Sequence, residues 1–190
     1  MITFALSLIF AAAGPVAIHG YAVDEMNRSH FAQAAVLCRR ALARQDPASL
    51  EAALLLRDLS RAERGEGYLE KALDARRREL AILKTRLGEQ DANIALALDG
   101  VGEIYFEQHR FTAARHSFES ALRIAEKTLA PESPHLAAIL NDLGAAYYQD
   151  HRYSQAARLI RRSLAIRETK SARANLAQTE KAIARFEPRP

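Results

Sequence analysis

The sequence predicts an all-α fold built from repeated helical hairpins, and three observations support this prediction. The composition favours helices, because 49% of the 190 residues are apolar and only eight Gly and six Pro are present. Apolar side chains recur at helical spacing along most of the chain. The segment "HRFTAARHSFESALRI" at 109–124 is followed by "HRYSQAARLIRRSLAI" at 151–166, which is a separation of 42 residues. A repeat of this length is typical of stacked hairpins.

The repeat also covers the residues that precede each of these two segments. In each copy, the spacing of apolar side chains predicts two amphipathic helices joined by a tight turn. The matched pairs are Leu98 with Leu140, Val101 with Leu143, Gly102 with Gly144, Tyr105 with Tyr147, Phe111 with Tyr153, Ala114 with Ala156, Phe118 with Ile160, Leu122 with Leu164 and Ile124 with Ile166.

The matched glycines indicate how the two helices of a hairpin pack. A Gly inside a helix costs about 1 kcal/mol relative to Ala, so Gly102 and Gly144 need a compensating contact. Close approach of the partner helix supplies that contact, with Ala114 and Ala156 as the small residues on the other side.

Two weaker copies precede this pair. Tyr105 and Tyr147 are expected to fill the wedge between hairpins, and Glu63 and Glu25 replace the tyrosine in the weaker copies. We therefore expect four hairpins, of which the first two are less well packed. The remaining slots of the weak copies hold Ile18, Tyr21, Ala22, Phe31, Ala34, Cys38, Ala41 and Leu42, then Leu56, Leu59, Ser60, Leu69, Ala72 and Leu80.

This pattern resembles the tetratricopeptide repeat. The Leu-Gly-x-x-Tyr element is met by "LDGVGEIY" and "LNDLGAAY", and the following Ala-x-x-x-Phe element is met by "ARHSF", with Ile160 standing where Phe is usual in the second copy. The 42-residue period is similar to that of kinesin light chains. The resemblance covers roughly residues 87–169. It implies a right-handed superhelical solenoid of about four helical hairpins plus a C-terminal capping helix. The expected hairpins are about 15–50, 51–91, 92–133 and 134–170, followed by the capping helix at 171–186 and a frayed tail at 187–190.

The resemblance further implies a protein-interaction module that holds a peptide or partner protein in a concave groove lined by the first helix of each hairpin. Asn141 is the most suggestive groove residue, because an amide both donates and accepts hydrogen bonds. Tyr148 and Phe106 are the expected apolar anchors. The alternative for the charged members is that Asp99 and Glu103 simply neutralise basic residues of the neighbouring first helix. The implied groove residues are Arg57, Arg61, Arg64, Asp99, Glu103, Phe106, Asn141, Ala145 and Tyr148, with His19, Val23 and Met26 in the first hairpin.

The charge distribution suggests a second class of function. Residues 151–190 hold ten basic and three acidic side chains, so a nucleic acid could bind this end through Arg158, Arg161 and Arg162. The chain has no Lys/Arg-rich cluster and no aromatic platform, so we expect a protein partner instead. Self-association through the first hairpin is a third hypothesis.

Enzymatic and metal chemistry have little support in the sequence. The motifs of zinc hydrolases, serine hydrolases and phosphate-binding or dinucleotide-binding loops are missing, so no catalytic or cofactor-binding residue is predicted. His109 and His151 recur at the turn between helices and are interpreted, together with their Arg neighbours, as turn chemistry rather than as metal ligands. Cys38 is the single cysteine and is predicted to be a small buried residue.

The N-terminal segment "MITFALSLIFAAAGP" is typical of a signal peptide over residues 1–13, with cleavage after Ala13. It contains no Lys or Arg, so a buried first helix is the alternative. The apolar run is too short to cross a bilayer as a helix. We expect export in preference to a cytoplasmic location, and no stable membrane span in the mature chain.

Overall fold

A computed structural model describes residues 14–187, and these residues form nine α-helices and no β-strand. The all-α prediction is therefore confirmed, whereas the predicted signal peptide and residues 188–190 lie outside the described residues. The chain divides after Gly88 into two compact units, called here the N-terminal unit (14–88) and the C-terminal unit (89–187). The helices are α1 Pro15–Asn27, α2 Phe31–Leu42, α3 Leu50–Gly65, α4 Leu69–Leu87, α5 Ala92–Glu107, α6 Phe111–Thr128, α7 Pro134–Gln149, α8 Tyr153–Ile166 and α9 Lys170–Phe186.

Helices α3, α5, α7 and α9 each begin at a residue whose side chain caps the helix. The capping oxygen accepts a hydrogen bond from a backbone N–H two or three residues further on, which satisfies one of the free N–H groups of the first turn. The caps are Ser49, Asp91, Ser133 and Thr169.

The second helix of each hairpin follows a turn residue with positive φ instead of a side-chain cap. In two hairpins this residue is a histidine, with φ of 57° at His109 and 60° at His151. The next backbone N–H then reaches back to the preceding helix, as in the 2.9 Å bond from Arg110 N to the Tyr105 carbonyl. The repeated His-Arg pair therefore forms a helix-ending turn, as the sequence predicts.

The core of the N-terminal unit combines apolar packing with buried polar pairs. Cys38 is fully buried among apolar side chains, as predicted. Ser60 lies where the later copies have glycine, and its Oγ donates to the Ala72 carbonyl at 2.8 Å. Asp58 is also fully buried; one of its oxygens pairs with His19 Nδ1, while Oδ1 has no hydrogen-bond partner. Hydrogen bonds between buried polar groups therefore add to the apolar contacts that hold α1, α3 and α4 together.

The C-terminal unit has the close helix contacts that its glycines predict. A Cβ added at Gly102 would lie 2.5 Å from the Phe118 ring, and one at Gly144 would lie 2.6 Å from Ile160 Cγ1 and 3.3 Å from the Ala156 carbonyl oxygen. A side chain at either position would therefore force the neighbouring helix or its side chain to move. The contact therefore explains why glycine stands inside both α5 and α7.

Helix α9 packs mainly against α8. The buried residues of this helix are small, namely Ala172, Thr179 and Ala182. Leu176 and Ile183 are half-buried at the edge. Phe186 is 59% exposed and only stacks its ring on Tyr153, because it is the last residue of the helix.

Candidate peptide-binding groove

A cavity of about 320 Å³ lies between α5, α7 and α9 in the C-terminal unit. Four of the predicted groove residues line it, namely Phe106 from α5 and Asn141, Ala145 and Tyr148 from α7. Helix α9, the predicted capping helix, supplies a further wall through Asn175 and Gln178. The last helix is thus part of the candidate site.

The Asn141 amide is already oriented by two hydrogen bonds. Its Nδ2 donates to Asp142 Oδ1 at 3.1 Å, and its Oδ1 accepts from Asn175 Nδ2 at 3.0 Å. A primary amide has two N–H groups and two acceptor positions. Among the described residues, these bonds leave one N–H group and one acceptor position of Asn141 for a ligand. The two existing bonds also fix the direction in which the amide points.

The two aromatic residues are held in place by their own hairpins. The Phe106 ring packs edge-on with Phe111 at a centroid distance of 5.2 Å, and the Tyr148 ring packs in the same way with Tyr153 at 5.3 Å. The Tyr148 hydroxyl also accepts a hydrogen bond from Gln178 Nε2 at 3.1 Å. Fixed aromatic rings lose little conformational entropy when a ligand binds.

Three carboxylates lie close together on the α5 and α7 side of the same unit. Oxygen atoms of Asp99, Glu103 and Asp142 all lie within 4.8 Å of one another, and all three side chains are half-buried. Asp99 and Glu103 are predicted groove residues, whereas Asp142 was missed, although it is the direct neighbour of Asn141. Asp142 also lines the cavity, so this wall of the groove carries negative charge.

The predicted groove residues of the N-terminal unit have more varied surroundings. Arg61 is exposed on α3, while Arg57 and Arg64 are half-buried on the same helix. In the first hairpin, His19 is engaged by the buried Asp58, and Met26 is only 7% exposed.

The groove prediction is therefore wrong for Met26. This side of α1 packs on the hydrophobic core of the N-terminal unit, where Val23 also contacts the cluster.

The comparisons with known proteins agree with this architecture. A family profile described as tetratricopeptide repeat matches residues 93–169. Residues 93–169 of the chain are tetratricopeptide repeats. Comparison with curated proteins gives no match.

Solved structures extend the similarity beyond the matched repeats. BtubC (BKLC) from P. vanneervenii is similar over 98% of this chain and 81% of that chain, with a TM-score of 0.75 and 21% identity. A Podosopora anserina kinesin light chain candidate with nearly identical TPR-like repeats is similar over 90% of this chain and 87% of that chain, with a TM-score of 0.76 and 19% identity. The predicted repeat family and fold class are confirmed, and at these identities the structures show the fold alone.

Each unit also has a cavity between the second helix of one hairpin and the two helices of the next hairpin. These helices are α2, α3 and α4 in the N-terminal unit and α6, α7 and α8 in the C-terminal unit. The cavity of the N-terminal unit has a volume of about 630 Å³ and is lined by Arg39 and Glu63. The cavity of the C-terminal unit has a volume of about 350 Å³ and is lined by Glu119 and Tyr147 at the corresponding positions. The repeat therefore builds the same cavity twice, with different chemistry.

A hydrogen-bonded network fixes Glu119 in the second of these cavities. Tyr147 donates its hydroxyl hydrogen to Glu119 at 2.8 Å, and Arg115 donates to Glu119 at 3.0 Å and to Asp150 at 2.7 Å. Burial alone would raise the pKa of Glu119, but the hydrogen bonds from Tyr147 and Arg115 and the nearby positive charges outweigh it and lower the pKa. Burial and the bond to Glu119 raise the pKa of Tyr147.

The basic C-terminal face is partly neutralised. Arg161 forms an ion pair with Glu180 at 2.7 Å, and Arg162 forms one with Glu126 at 2.8 Å. Arg158 is exposed beside the Glu119 cavity. This face presents less unpaired positive charge than the sequence suggests, which does not favour a nucleic acid as its ligand.

Regarding membranes, none of the helices within residues 14–187 combines the length and the apolar character that a transmembrane span requires.

Proposed function

We propose that this chain is a non-catalytic protein-interaction module whose C-terminal unit binds an extended segment of a partner protein between α5, α7 and α9. Tetratricopeptide repeats are in general scaffolds for protein–protein interaction. The observation that carries the proposal is one cavity between α5, α7 and α9 that is lined by an oriented amide and by two fixed aromatic rings. We propose that the arginines of α3, Arg57, Arg61 and Arg64, form a binding surface of the N-terminal unit.

The chemistry of the lining fits backbone recognition. An extended peptide presents alternating N–H and C=O groups, and the Asn141 amide offers one acceptor and one donor to them. Phe106 and Tyr148 would take up apolar side chains on either side, and a volume of about 320 Å³ accommodates one or two such groups.

The experiment is crosslinking capture of partners from native host cells with the full chain and with an Asn141→Ala/Tyr148→Ala double variant. We expect the double variant to lose most of the captured partner while its helical circular dichroism stays unchanged. The matched control is Asn27→Ala/Tyr68→Ala, which removes the same two residue types from exposed positions of the N-terminal unit. Equal capture by all three proteins would disprove the groove assignment.

The same sample tests the expected export of the protein. Sequencing of the N-terminus of the natural protein recovered with the complex shows whether cleavage follows Ala13. An intact Met1 would exclude the predicted signal-peptide cleavage.

A further inference from the structure

We infer that the groove between α5, α7 and α9 selects a peptide segment with a Lys or Arg side chain and discriminates against an acidic one. This inference rests on the proposed function and adds the charge of the ligand to it. It comes from three observations on the same cavity: the signs of the charges on its walls, the chemistry of its aromatic rings and the neutrality of its amides.

The charge on the cavity wall is negative. Asp142 lines the cavity, and none of the described residues that line it is Lys or Arg. Asp99 and Glu103 place two more carboxylates within 4.8 Å of Asp142. These carboxylates take part in other contacts as well, but a carboxylate has about four acceptor positions and can bind a further donor. An acidic ligand here would meet like charge in a partly desolvated site.

The aromatic rings favour the same sign of charge. The faces of Phe and Tyr rings carry negative electrostatic potential and attract ammonium and guanidinium groups within about 6 Å of the ring centre. Phe106 and Tyr148 flank the cavity, and their contacts with Phe111 and Tyr153 hold them in position. The aliphatic stem of Lys or Arg can pack along these rings while the charged end reaches Asp142.

The amides separate binding from charge selection. Asn141, Asn175 and Gln178 are neutral, and the hydrogen bonds between α7 and α9 orient them. They can bind a peptide backbone whatever its side chains are. Removal of an amide should therefore weaken all peptides, whereas removal of the Asp142 charge should weaken only the basic ones.

The test begins with selection of displayed random decapeptides on the purified full-length chain. A selected peptide is then synthesised with a fluorescent label in three versions, which carry Lys, Gln or Glu at the position where selection is strongest. Binding of each version is measured by fluorescence anisotropy to the wild type, to Asp142→Asn and to Asn141→Ala. The matched control is Glu132→Gln, which removes one negative charge from an exposed loop of the same unit.

We expect selection of Lys or Arg, and about tenfold tighter binding of the Lys peptide than of the Glu peptide. Asp142→Asn should weaken the Lys peptide about three- to tenfold and leave the Gln peptide within twofold. Glu132→Gln should change neither. Dependence of the Lys peptide on ionic strength should decrease in Asp142→Asn.

Two results would overturn the inference in different ways. If acidic peptides are selected, or if Asp142→Asn weakens the Lys and Gln peptides equally, the charge preference is wrong, while weaker binding to Asn141→Ala still supports the groove. If no peptide is selected, or if Asn141→Ala binds all three versions as the wild type does, the proposed groove fails together with its charge preference.

Discussion

The two units make the same contact between neighbouring hairpins with exchanged chemistry. In the C-terminal unit, Tyr147 of α7 donates its hydroxyl hydrogen to Glu119 of α6. In the N-terminal unit, Glu63 of α3 occupies the position of the tyrosine and accepts a hydrogen bond from Arg39 of α2 at 2.8 Å. The carboxylate therefore belongs to the second helix of the earlier hairpin in the C-terminal unit, and to the first helix of the later hairpin in the N-terminal unit. In each unit the hydrogen-bond donor lies on the other of these two helices.

The difference shows that the repeat specifies the geometry of this contact and leaves its chemistry open. Tyr147 brings an apolar ring and a neutral hydroxyl, so much of its contribution comes from buried area. Glu63 has a side chain that is only 5% exposed and depends on Arg39, whose side chain is 49% exposed. A buried carboxylate is costly without its partner. The N-terminal unit should therefore be the more sensitive to the loss of a single charged residue.

The largest expected effect is on the reactivity of the Cys38 thiol. Because Cys38 is the one cysteine of the chain, its labelling reports opening of the N-terminal unit and not of the C-terminal unit. Burial, helped by the negative charge of Asp58, raises the pKa of Cys38 to about 12. The reactive thiolate at pH 8 should thus be about a thousandfold scarcer than for a free cysteine. We expect a chromogenic disulfide reagent to label the protein quickly in urea and very slowly without it. Native labelling within tenfold of the denatured rate would contradict this burial.

The second prediction tests the close helix contact that Gly144 makes inside α7 of the C-terminal unit. Gly144→Val places side-chain atoms against Ile160 and the Ala156 carbonyl, so we expect a loss of about 3 kcal/mol in the free energy of unfolding. Urea titration and the melting temperature measure the loss.

The control for this substitution is Gly20→Ala. A Cβ at Gly20 meets nothing within 4 Å, and the residue lies inside α1. Alanine is the better helix former, so this variant should gain up to about 1 kcal/mol. A Gly144→Val protein that melts with the wild type would refute the packing argument.

The third prediction breaks the exchanged pair. Arg39→Ala removes the donor that Glu63 needs, and we expect a loss of about 2 kcal/mol, which is less than for a fully buried pair because Arg39 is half-exposed. The double variant Arg39→Glu/Glu63→Tyr transfers the chemistry of the C-terminal unit to the N-terminal unit. It should recover most of the loss in urea titrations. If the double variant is no more stable than Arg39→Ala, the two contacts are not interchangeable.

The fourth and smallest effect is a difference in pH dependence between two glutamates. The pKa of Glu119 is lowered in the fold, so its contribution to stability is present above the ordinary pKa of about 4.3 and is lost as the pH falls through the lower folded value. Burial, opposed by Arg76, raises the pKa of Glu79, so ionised Glu79 costs stability at neutral pH and this cost falls as it becomes protonated.

We therefore expect Glu119→Gln to destabilise the protein at pH 7 and to do so less at pH 4. Glu79→Gln should be near neutral or stabilising at pH 7, and its advantage should shrink on acidification. Urea titrations of both variants at several pH values measure this contrast. The same sign of pH dependence in both variants would be inconsistent with the opposite pKa directions.

Sequence was sufficient where a contact is repeated along the chain. Gly102 and Gly144 predicted the close approach of the partner helix, because a glycine inside a helix needs a steric reason. The side chains nearest to them are Phe118 and Ile160, whereas the prediction named Ala114 and Ala156. Glu63 was identified as the departure from tyrosine, but its partner was not. An ion pair between residues 24 apart leaves no periodic trace, and many neighbouring arginines could have served as well as Arg39.

The candidate groove was predictable only in part, for a related reason. Phe106, Asn141 and Tyr148 were found because they occupy the same helix in successive copies of the repeat. Asn175 and Gln178 of α9 were missed, since this helix has no second copy with which to compare it. The assignment of the groove residues to peptide binding stays a prediction that the capture experiment tests.

The caps and turns described above have an evolutionary consequence. The 42-residue block 91–132 carries its own capping residue, Asp91, and its own turn residue, His109, and it ends where Ser133 starts the next helix. An in-frame duplication of this block therefore brings every local start and stop signal with it. Such a duplication would lengthen the array without new loop design, and each added copy would enlarge the binding footprint by one more first helix.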